Sequence, residues 1–272
     1  MKARLAPPGK LLAAAAALVW ATPFAWMLAA SFRPGYPDDI ASLVPRPPLG
    51  LDNYRDAWAS GHFVLWYANT LALCLGILAV QCVTVTLAGY AFARLRFRGS
   101  GLVFTLFLLQ LLLVPALLIV PNLQVLVALG LYDTLLGVAA PYLASAFGVF
   151  LMRQTFRQIP REYEEAAALD GASVLQVIRY VLLPSAWPGL AAFAVVSVTA
   201  HWNEYVWPLM ATSSPARQVL TTGLASFAGA SESGGQWGVV AAGTALVAAP
   251  LLVLFLVFQR RIVASFVFSG VK

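Results

Sequence analysis

Six long apolar stretches constrain the fold of this chain more than any other feature. An α-helix needs roughly 20 apolar residues to cross the hydrocarbon of a bilayer, and six stretches have about that length: 11–31, 66–93, 101–121, 134–152, 185–211 and 237–258. Backbone groups in lipid must pair within the chain, and none of these stretches alternates in polarity as a barrel strand does. The sequence therefore predicts an all-α polytopic membrane protein with six transmembrane helices.

The charge content excludes a soluble fold. Only 10% of the 272 residues are charged and 61% are hydrophobic, whereas soluble domains carry about 25% charged residues. The two cysteines, Cys74 and Cys82, lie in one apolar stretch. We interpret them as reduced packing residues rather than as a disulfide framework.

The basic residues predict the orientation. If the N-terminus is cytoplasmic, four of the 17 Lys and Arg residues fall outside and 13 fall in the cytoplasmic segments: Lys2, Arg4, Lys10, Arg94, Arg96, Arg98, Arg153, Arg157, Arg161, Arg179, Arg260, Arg261 and Lys272. The positive-inside rule then places both termini in the cytoplasm and the chain in the cell (inner) membrane. Contact with anionic membrane lipid explains the net charge of +6, so nucleic acid is not an expected partner.

Two segments before the second span have more than one interpretation. Residues 11–31 follow a basic start, as in a cleaved signal peptide, but the apolar run exceeds the usual 7–15 residues or so and favours a retained helix. In the outer loop 32–65, rich in Pro and Gly, Asp52 is expected to cap a short helix. That helix either lies at the membrane interface through Tyr54 and Trp58 or forms a docking surface for an outer partner.

The loop 153–184 is predicted to form a cytoplasmic helix–turn–helix. Pro160 suits the first turn of a helix, and the glutamates after it complement the positive end of that helix. Gly171 can take the positive φ that ends the helix, Ser173 can cap the next one, and Pro184 marks the join to the fifth span. A helix lying on lipid normally has a basic polar face, so the acidic start favours a protein partner.

The spacing within this loop resembles the EAA loop of ATP-binding-cassette (ABC) importer permeases. The family pattern is EAA, three residues, Gly, nine residues, Ile, one residue, Leu-Pro, and the chain departs from it only in having Val for the Ile: Glu165-Ala166-Ala167, Gly171, Val181, Leu183-Pro184. Shorter motifs resemble the carbohydrate branch, namely the six-helix permease of maltose-type or glycerol-3-phosphate-type systems: Asn53-Tyr54, Asn69-Thr70, Trp202-Asn203-Glu204, Trp207-Pro208-Leu209 and Gln259-Arg260-Arg261.

The resemblance implies a single permease domain that works with partners. These are a second, related permease subunit, a dimeric ABC ATPase that binds ATP and Mg, and an external solute-binding protein; this chain itself would bind no cofactor. The loop would contain the coupling helix, in which Glu165 makes a polar contact, the alanines permit close approach and Gly171 makes the turn. The residues implied in ATPase coupling are Glu165, Ala166, Ala167, Leu169, Asp170, Gly171 and Pro184.

The residues themselves agree that the chain does not hydrolyse ATP. The phosphate-binding pattern G-x-x-x-x-G-K-[ST] is absent from the sequence, and that loop is what cradles the phosphates. The two histidines, His62 and His201, lie in different segments, and no motif with metal-ligand spacing occurs. We therefore expect a subunit that is not itself an enzyme and has no metal site.

Polar residues of the fifth span are candidates for a substrate path. Ser197, His201 and Glu204 fall on one predicted helical stripe, and aromatic and amide groups beside them suit a sugar, which gives the path set His201, Trp202, Asn203, Glu204 and Trp207. Intramembrane carboxylates usually face a cavity or a partner. Glu204 and Asn203 either line this path or tie helices together inside the bundle.

Two other function classes, a secondary transporter and an intramembrane enzyme, fit the sequence less well than an importer subunit. An ion-driven secondary transporter would have inverted repeats and broken helices, and it would leave the acidic loop unexplained. An intramembrane enzyme would pair His201 with Glu204 as acid and base, but no nucleophile or metal set accompanies them. Within the importer class, the sequence leaves open a di- or oligosaccharide, a monosaccharide or a glycerol phosphate as the solute.

Overall fold

The computed structural model describes residues 7–33, 49–232 and 236–269, and its regular elements are all helical within those ranges. The all-α prediction is confirmed. The α-helices are α1 (Pro7–Ser31), α2 (Asp52–Ser60), α3 (Phe63–Arg94), α4 (Ser100–Leu109), α5 (Ile119–Ala128), α6 (Leu135–Ala139), α7 (Ala146–Gln158), α8 (Glu162–Leu169), α9 (Val174–Val177), α10 (Leu183–Trp202), α11 (Val206–Ala211), α12 (Leu220–Glu232) and α13 (Trp237–Ser269). The Pro- and Gly-rich residues 34–48 and the basic residues Lys2, Arg4, Arg46 and Lys272 lie outside the described ranges.

Among the residues that the structure describes, four unbroken helical segments are long and apolar enough to cross a membrane: Leu11–Ser31, Phe63–Arg94, Val174–Trp202 and Trp237–Val257. Two further spans are pairs of helices bent at a short break, so the number is six when each pair counts as one span. The prediction of six spans agrees with the structure when each bent pair is counted as one span.

The third predicted span is broken rather than continuous. Its two halves, Ser100–Leu112 and Pro115–Ala128, meet at an angle of 103°. Val114 is extended, with ψ 122°, because a residue before proline is pushed out of the α region. Helix continues beyond the predicted end of this span at residue 121, as far as Ala128. The fourth span, Leu135–Tyr142 and Ala146–Gln158, is bent by 46°.

The structure corrects both ends of the fifth span. Helix runs without a gap through Val174–Trp202, so Pro184, in the first turn of α10, marks the predicted join without interrupting the helix. A π-helical turn, Ile178–Leu182, directly precedes the proline segment and widens the helix where the proline ring would crowd a carbonyl group. The helix then ends at Trp202, and Asn203 is its C-cap. Residues predicted to continue it to 211 form the separate helix α11.

The chain divides into two compact units. The first comprises described residues of Met1–Phe63 and Gly223–Val253. In it, Asn53 donates its amide to the carbonyl oxygens of Ser31 and Arg33, at 3.1 and 2.6 Å, so α2 satisfies groups at the end of α1. The expected capping role of Asp52 is wrong: α2 begins at Asp52, and its N-cap is Leu51, which makes no side-chain cap.

The second unit comprises described residues of Val64–Thr222 and Leu254–Lys272. One apolar core in it is formed by α7 and α10 with Val85 of α3. Gly148 permits this packing, because a Cβ atom there would lie 2.6 Å from both Phe193 and Val85. A second core joins α3, α5, α6 and α11 around Ile77, Leu126 and Trp207.

A carboxylate ties together two connections in the second unit. Asp133, which has a positive φ of 59°, accepts hydrogen bonds from the backbone N–H groups of Ser213 and Ser214 at 2.9 and 3.0 Å, and from the Ser214 hydroxyl. Its own N–H donates to the Ala211 carbonyl at 2.9 Å. These bonds, with the Ser214 hydroxyl foremost, hold the pKa of Asp133 below its usual 3.8.

We expect Asp133→Asn to lower the thermal stability of the purified protein at pH 7. Because the pKa of Asp133 is lowered, its ionised form contributes fully above pH 3.8 and stops contributing as the pH falls through the lowered pKa. The difference in melting temperature between wild type and Asp133→Asn should therefore shrink only below that pH. Asp56→Asn, at an exposed position of α2, is the control expected to leave the melting temperature unchanged. Equal stability of wild type and Asp133→Asn at pH 7 would contradict the assignment.

Candidate functional site

The segment that resembles the EAA loop folds into a tight helix–turn–helix. At the end of α8 the N–H groups of Gly171 and Ala172 donate to the carbonyls of Ala168 and Ala167, both at 3.0 Å. This is the Schellman arrangement, and the φ of +80° at Gly171 is what it requires. The turn predicted at Gly171 is confirmed.

The start of the next helix is also as predicted. The backbone N–H and the hydroxyl of Ser173 both donate to Oε1 of Gln176, at 2.7 and 2.9 Å. The Ser173 side chain also faces the backbone N–H of Gln176, and this second, reciprocal contact makes the pair a capping box. Two local motifs therefore fix the angle between α8 and α9, and the turn between the helices is rigid.

Most residues of the implied coupling set face outward on this element. Leu169 is 90% exposed, and the other exposed members are Glu165, Ala166, Asp170 and Gly171. Ala167 is half-buried, and Pro184 lies farther along, exposed in the first turn of α10. The tip thus presents an apolar side chain flanked by carboxylates and by alanines that allow close approach.

One carboxylate of α8 turns inward instead. Oε1 of Glu164 lies 2.5 Å from Nε of Arg94, the last residue of α3, and the two side chains are 16% and 8% exposed. The sequence did not predict this pairing. The available signal was the helical spacing, since Glu164 and Glu165 differ by about 100° around α8 and cannot face the same way.

A cavity of about 500 Å³ lies among α3, α5, α7, α10 and α11 in the second unit, and residues of the break between α4 and α5 also line it. Its lining is mainly apolar, and the polar and aromatic members are Gln81, Gln110, Asn122, Tyr142, Ser145, Ser197, His201, Glu204 and Trp207. No Lys or Arg occurs among the described residues that line it. Three of the five predicted path residues, His201, Glu204 and Trp207, come together here.

A hydrogen-bonded set of side chains forms one wall of the cavity. Gln81 donates its amide to the Tyr142 carbonyl at 2.6 Å and accepts the Ser197 hydroxyl, also at 2.6 Å. The same amide nitrogen lies 3.4 Å from Nε2 of His201, and the His201 ring packs 4.7 Å from the Tyr142 ring. Gln81 therefore orders the wall and leaves little freedom to the imidazole.

Glu204 reaches the cavity by a route the sequence did not predict. It follows the end of α10, so it is not on a continuous helical stripe with Ser197 and His201. Its Oε1 accepts the backbone N–H of Trp207 at 3.4 Å, and its side chain lines the cavity together with Tyr142. The Trp207 indole in turn donates to the Val138 carbonyl at 3.0 Å.

The other two predicted path residues do not line this cavity. Trp202 is buried, with its ring 6.3 Å from that of Tyr67. Asn203 is exposed and donates its amide to the Thr199 carbonyl at 2.8 Å. A part for Trp202 or Asn203 in a path stays a prediction. Within the described ranges, no three His, Cys, Asp or Glu side chains cluster so as to hold a metal ion.

Comparison with known proteins gives one consistent family. Residues 85–267 match the family described as "Binding-protein-dependent transport system inner membrane component". The trehalose transport system permease protein SugB of Mycobacterium tuberculosis is 32% identical over 92% of this chain and 92% of its own. The sn-glycerol-3-phosphate transport system permease protein UgpE of Yersinia pestis is 32% identical over 84% of this chain and 83% of its own.

A solved structure supports the fold. A chain of a bacterial ABC transporter involved in the import of the acidic polysaccharide alginate matches with a TM-score of 0.80, covering 92% of this chain and 94% of that one. The sequence identity is 22%, so this likeness is evidence for the shared arrangement of helices.

We expect Gln81→Leu to destabilise the protein by about 1 kcal/mol, because it leaves the buried Ser197 hydroxyl and the Tyr142 carbonyl without the partner they have now. Thermal unfolding in detergent measures the change. Gln110→Leu is the matched control, since Gln110 lines the same cavity but is exposed. An equal effect of the two substitutions would show that Gln81 does not order the wall.

Proposed function

This chain belongs to the family of inner membrane components of binding-protein-dependent transport systems, and from that premise we propose that it is a permease subunit of an ABC importer. It forms half of the translocation pathway for a sugar or sugar-like solute. An external binding protein delivers the solute, and a separate ATPase drives its passage.

The helix–turn–helix of α8 and α9 carries this proposal. It is a rigid element whose tip exposes Leu169, Ala166, Glu165 and Asp170. An apolar knob with small neighbours suits insertion into a cleft of another protein, and the carboxylates suit pairing with arginine at its rim. A dimeric ABC ATPase that binds ATP and Mg is the partner we assign to this tip.

The remaining assignments follow the same scheme. A second, related permease subunit completes the pathway, because one such chain supplies only half of it. The 13 to 4 distribution of basic residues supports placing both termini and the α8–α9 tip on the cytoplasmic side of the cell membrane.

The cavity is the part of the pathway that this chain contributes. His201, Glu204 and Trp207 line it beside Tyr142 and Gln81. Paired donors and acceptors next to aromatic faces suit sugar hydroxyl groups, and the lack of Lys and Arg in the described lining favours a neutral solute on this side of the pathway. The relatives named for trehalose and for glycerol-3-phosphate fit a family that accepts several polar solutes.

We expect Glu165→Ala and Gly171→Pro to abolish ATP hydrolysis that depends on the loaded binding protein, while both variants still insert into the membrane. Glu165 is exposed for contact, and proline cannot adopt the φ of +80° at Gly171. The measurement is the ATPase rate of the reconstituted assembly.

Matched controls separate loss of docking from loss of folding. Glu162→Ala removes another exposed carboxylate from α8. Gly130→Pro imposes the same strain on a glycine at φ +67° whose N–H donates to the Val127 carbonyl, but in the turn after α5. Both controls should keep stimulated hydrolysis. Normal stimulated hydrolysis in Glu165→Ala and Gly171→Pro would count against docking at this tip.

A further inference from the structure

The last turn of α3 is joined to the helix–turn–helix by a buried ion pair. Arg94 and Glu164 approach to 2.5 Å, and neither side chain exceeds 16% exposure. The Arg94 guanidinium also donates through Nη2 to the Ile159 carbonyl at 2.7 Å. Arg94 therefore contacts both the turn that enters α8 and the first turn of α8 itself.

A second arginine reinforces the junction from the opposite direction. Nε of Arg153, on α7, donates to the Phe92 carbonyl of α3 at 3.2 Å, and its guanidinium carbon lies 4.1 Å from the centre of the Phe104 ring. Phe92, to which Arg153 donates, packs against the apolar core that contains Phe156 and Leu182, both fully buried. Arg94, Arg153 and Glu164 thus join three helices, α3, α7 and α8. We call these three residues and the groups they contact the arginine junction.

From the arginine junction, α3 runs without a break to the cavity and beyond it. Gln81 on α3 orders the cavity wall. Farther along, the Asn69 amide donates to the carbonyls of Ala216 and Gln218, at 3.0 and 2.8 Å, and the Thr70 hydroxyl accepts the Leu220 N–H at 2.9 Å. One unbroken helix therefore makes polar contacts at the tip end, in the cavity and at its far end.

The chain itself also connects the tip to a transmembrane helix, because α9 leads directly into α10. α9 continues into α10 through the π-helical turn Ile178–Leu182, and Pro184 follows within two residues. Both features interrupt the regular backbone hydrogen bonding of an α-helix, and helices bend most readily at such places. A displacement of α8 is therefore transmitted more stiffly through the arginine junction to α3 than through α9 to α10.

We propose that Arg94 is the positioning residue that makes α8 and α3 move as one body, so that displacement of the tip by the ATPase reaches Gln81 and the cavity through α3. The inference rests on the proposed function, because it requires an ATPase that moves the tip. Arg94 touches neither the solute nor the ATPase in this account. It acts through Glu164, which is too buried to serve as a docking group, while its neighbour Glu165 is left free to do so.

Native Cys82 offers a direct readout, because it is half-buried on α3 next to Gln81. In a Cys74→Ala background, the assembly with its ATPase is labelled with N-ethylmaleimide, with and without MgATP and vanadate. The wild-type side chains at 94 and 164 should give a nucleotide-dependent labelling rate. Arg94→Gln and Glu164→Gln should each reduce that nucleotide dependence by about fivefold or more. Arg96→Gln, an exposed arginine two residues farther along, should leave it intact.

A crosslink keeps the test decisive if the single variants assemble poorly. Arg94→Cys and Glu164→Cys are combined in a background without the native cysteines and bridged by a bis-methanethiosulfonate of about side-chain length, which forms a disulfide with each cysteine and can be removed by reduction. A fixed junction should restore ATP-driven transport of the assembly's solute, and reduction of the bridge should remove it again. Transport blocked by the bridge would mean that α8 and α3 move relative to each other, and this would overturn the proposal.

A wrong role for Arg94 and a wrong proposed function give different experimental results. If the assembly with unaltered Arg94 and Glu164 hydrolyses ATP and Arg94→Gln retains the full nucleotide dependence at Cys82, the inference about Arg94 is wrong and the proposed function stands. If the unaltered chain forms no assembly with an ATPase, the proposed function itself fails.

Discussion

Hydrocarbon offers no hydrogen-bond partner to a backbone N–H or C=O group, and this governs how the helices of the chain are arranged. The spans that break do so where protein or the cavity can receive the freed groups: residues on both sides of the break in the third span, and on both sides of the break after α10, line the same cavity. The unbroken helix α3 supplies the donors. Its amide and hydroxyl side chains bind backbone carbonyls of the interrupted elements, namely those of Tyr142, Leu143, Ala216 and Gln218.

This division between one continuous helix and several broken ones links structure to transport. Broken helices place polar backbone and side chains at the depth of the membrane, which a solute with hydroxyl groups requires. A continuous helix that binds them at several points keeps their arrangement defined. The same helix ends at the arginine junction, beside the element that we assign to the ATPase interface, so the polar contacts that satisfy the membrane constraint also connect the tip with the cavity.

The sequence predicted local features well and long-range ones poorly. Helix content, the turn at Gly171 and the cap at Ser173 depend on neighbouring residues, so spacing alone was sufficient. The break at Val114 and the end of α10 at Trp202 were missed, because apolar character continues through both and hydropathy does not register a bend. Glu204 was consequently assigned to a helical stripe that does not exist, although it does reach the cavity. The pairing of Arg94 with Glu164 joins residues 70 positions apart, which no periodicity encodes.

We propose that this chain transports a solute only as part of an ATP-driven assembly. The most direct test is uptake into proteoliposomes that contain this chain with its partner permease and ATPase, supplied outside with the loaded binding protein, compared with proteoliposomes that contain this chain alone. We expect that uptake by the full assembly requires enclosed ATP and the ATPase, and that dissipation of ion gradients does not change it. Uptake by this chain alone, driven by an ion gradient, would contradict it.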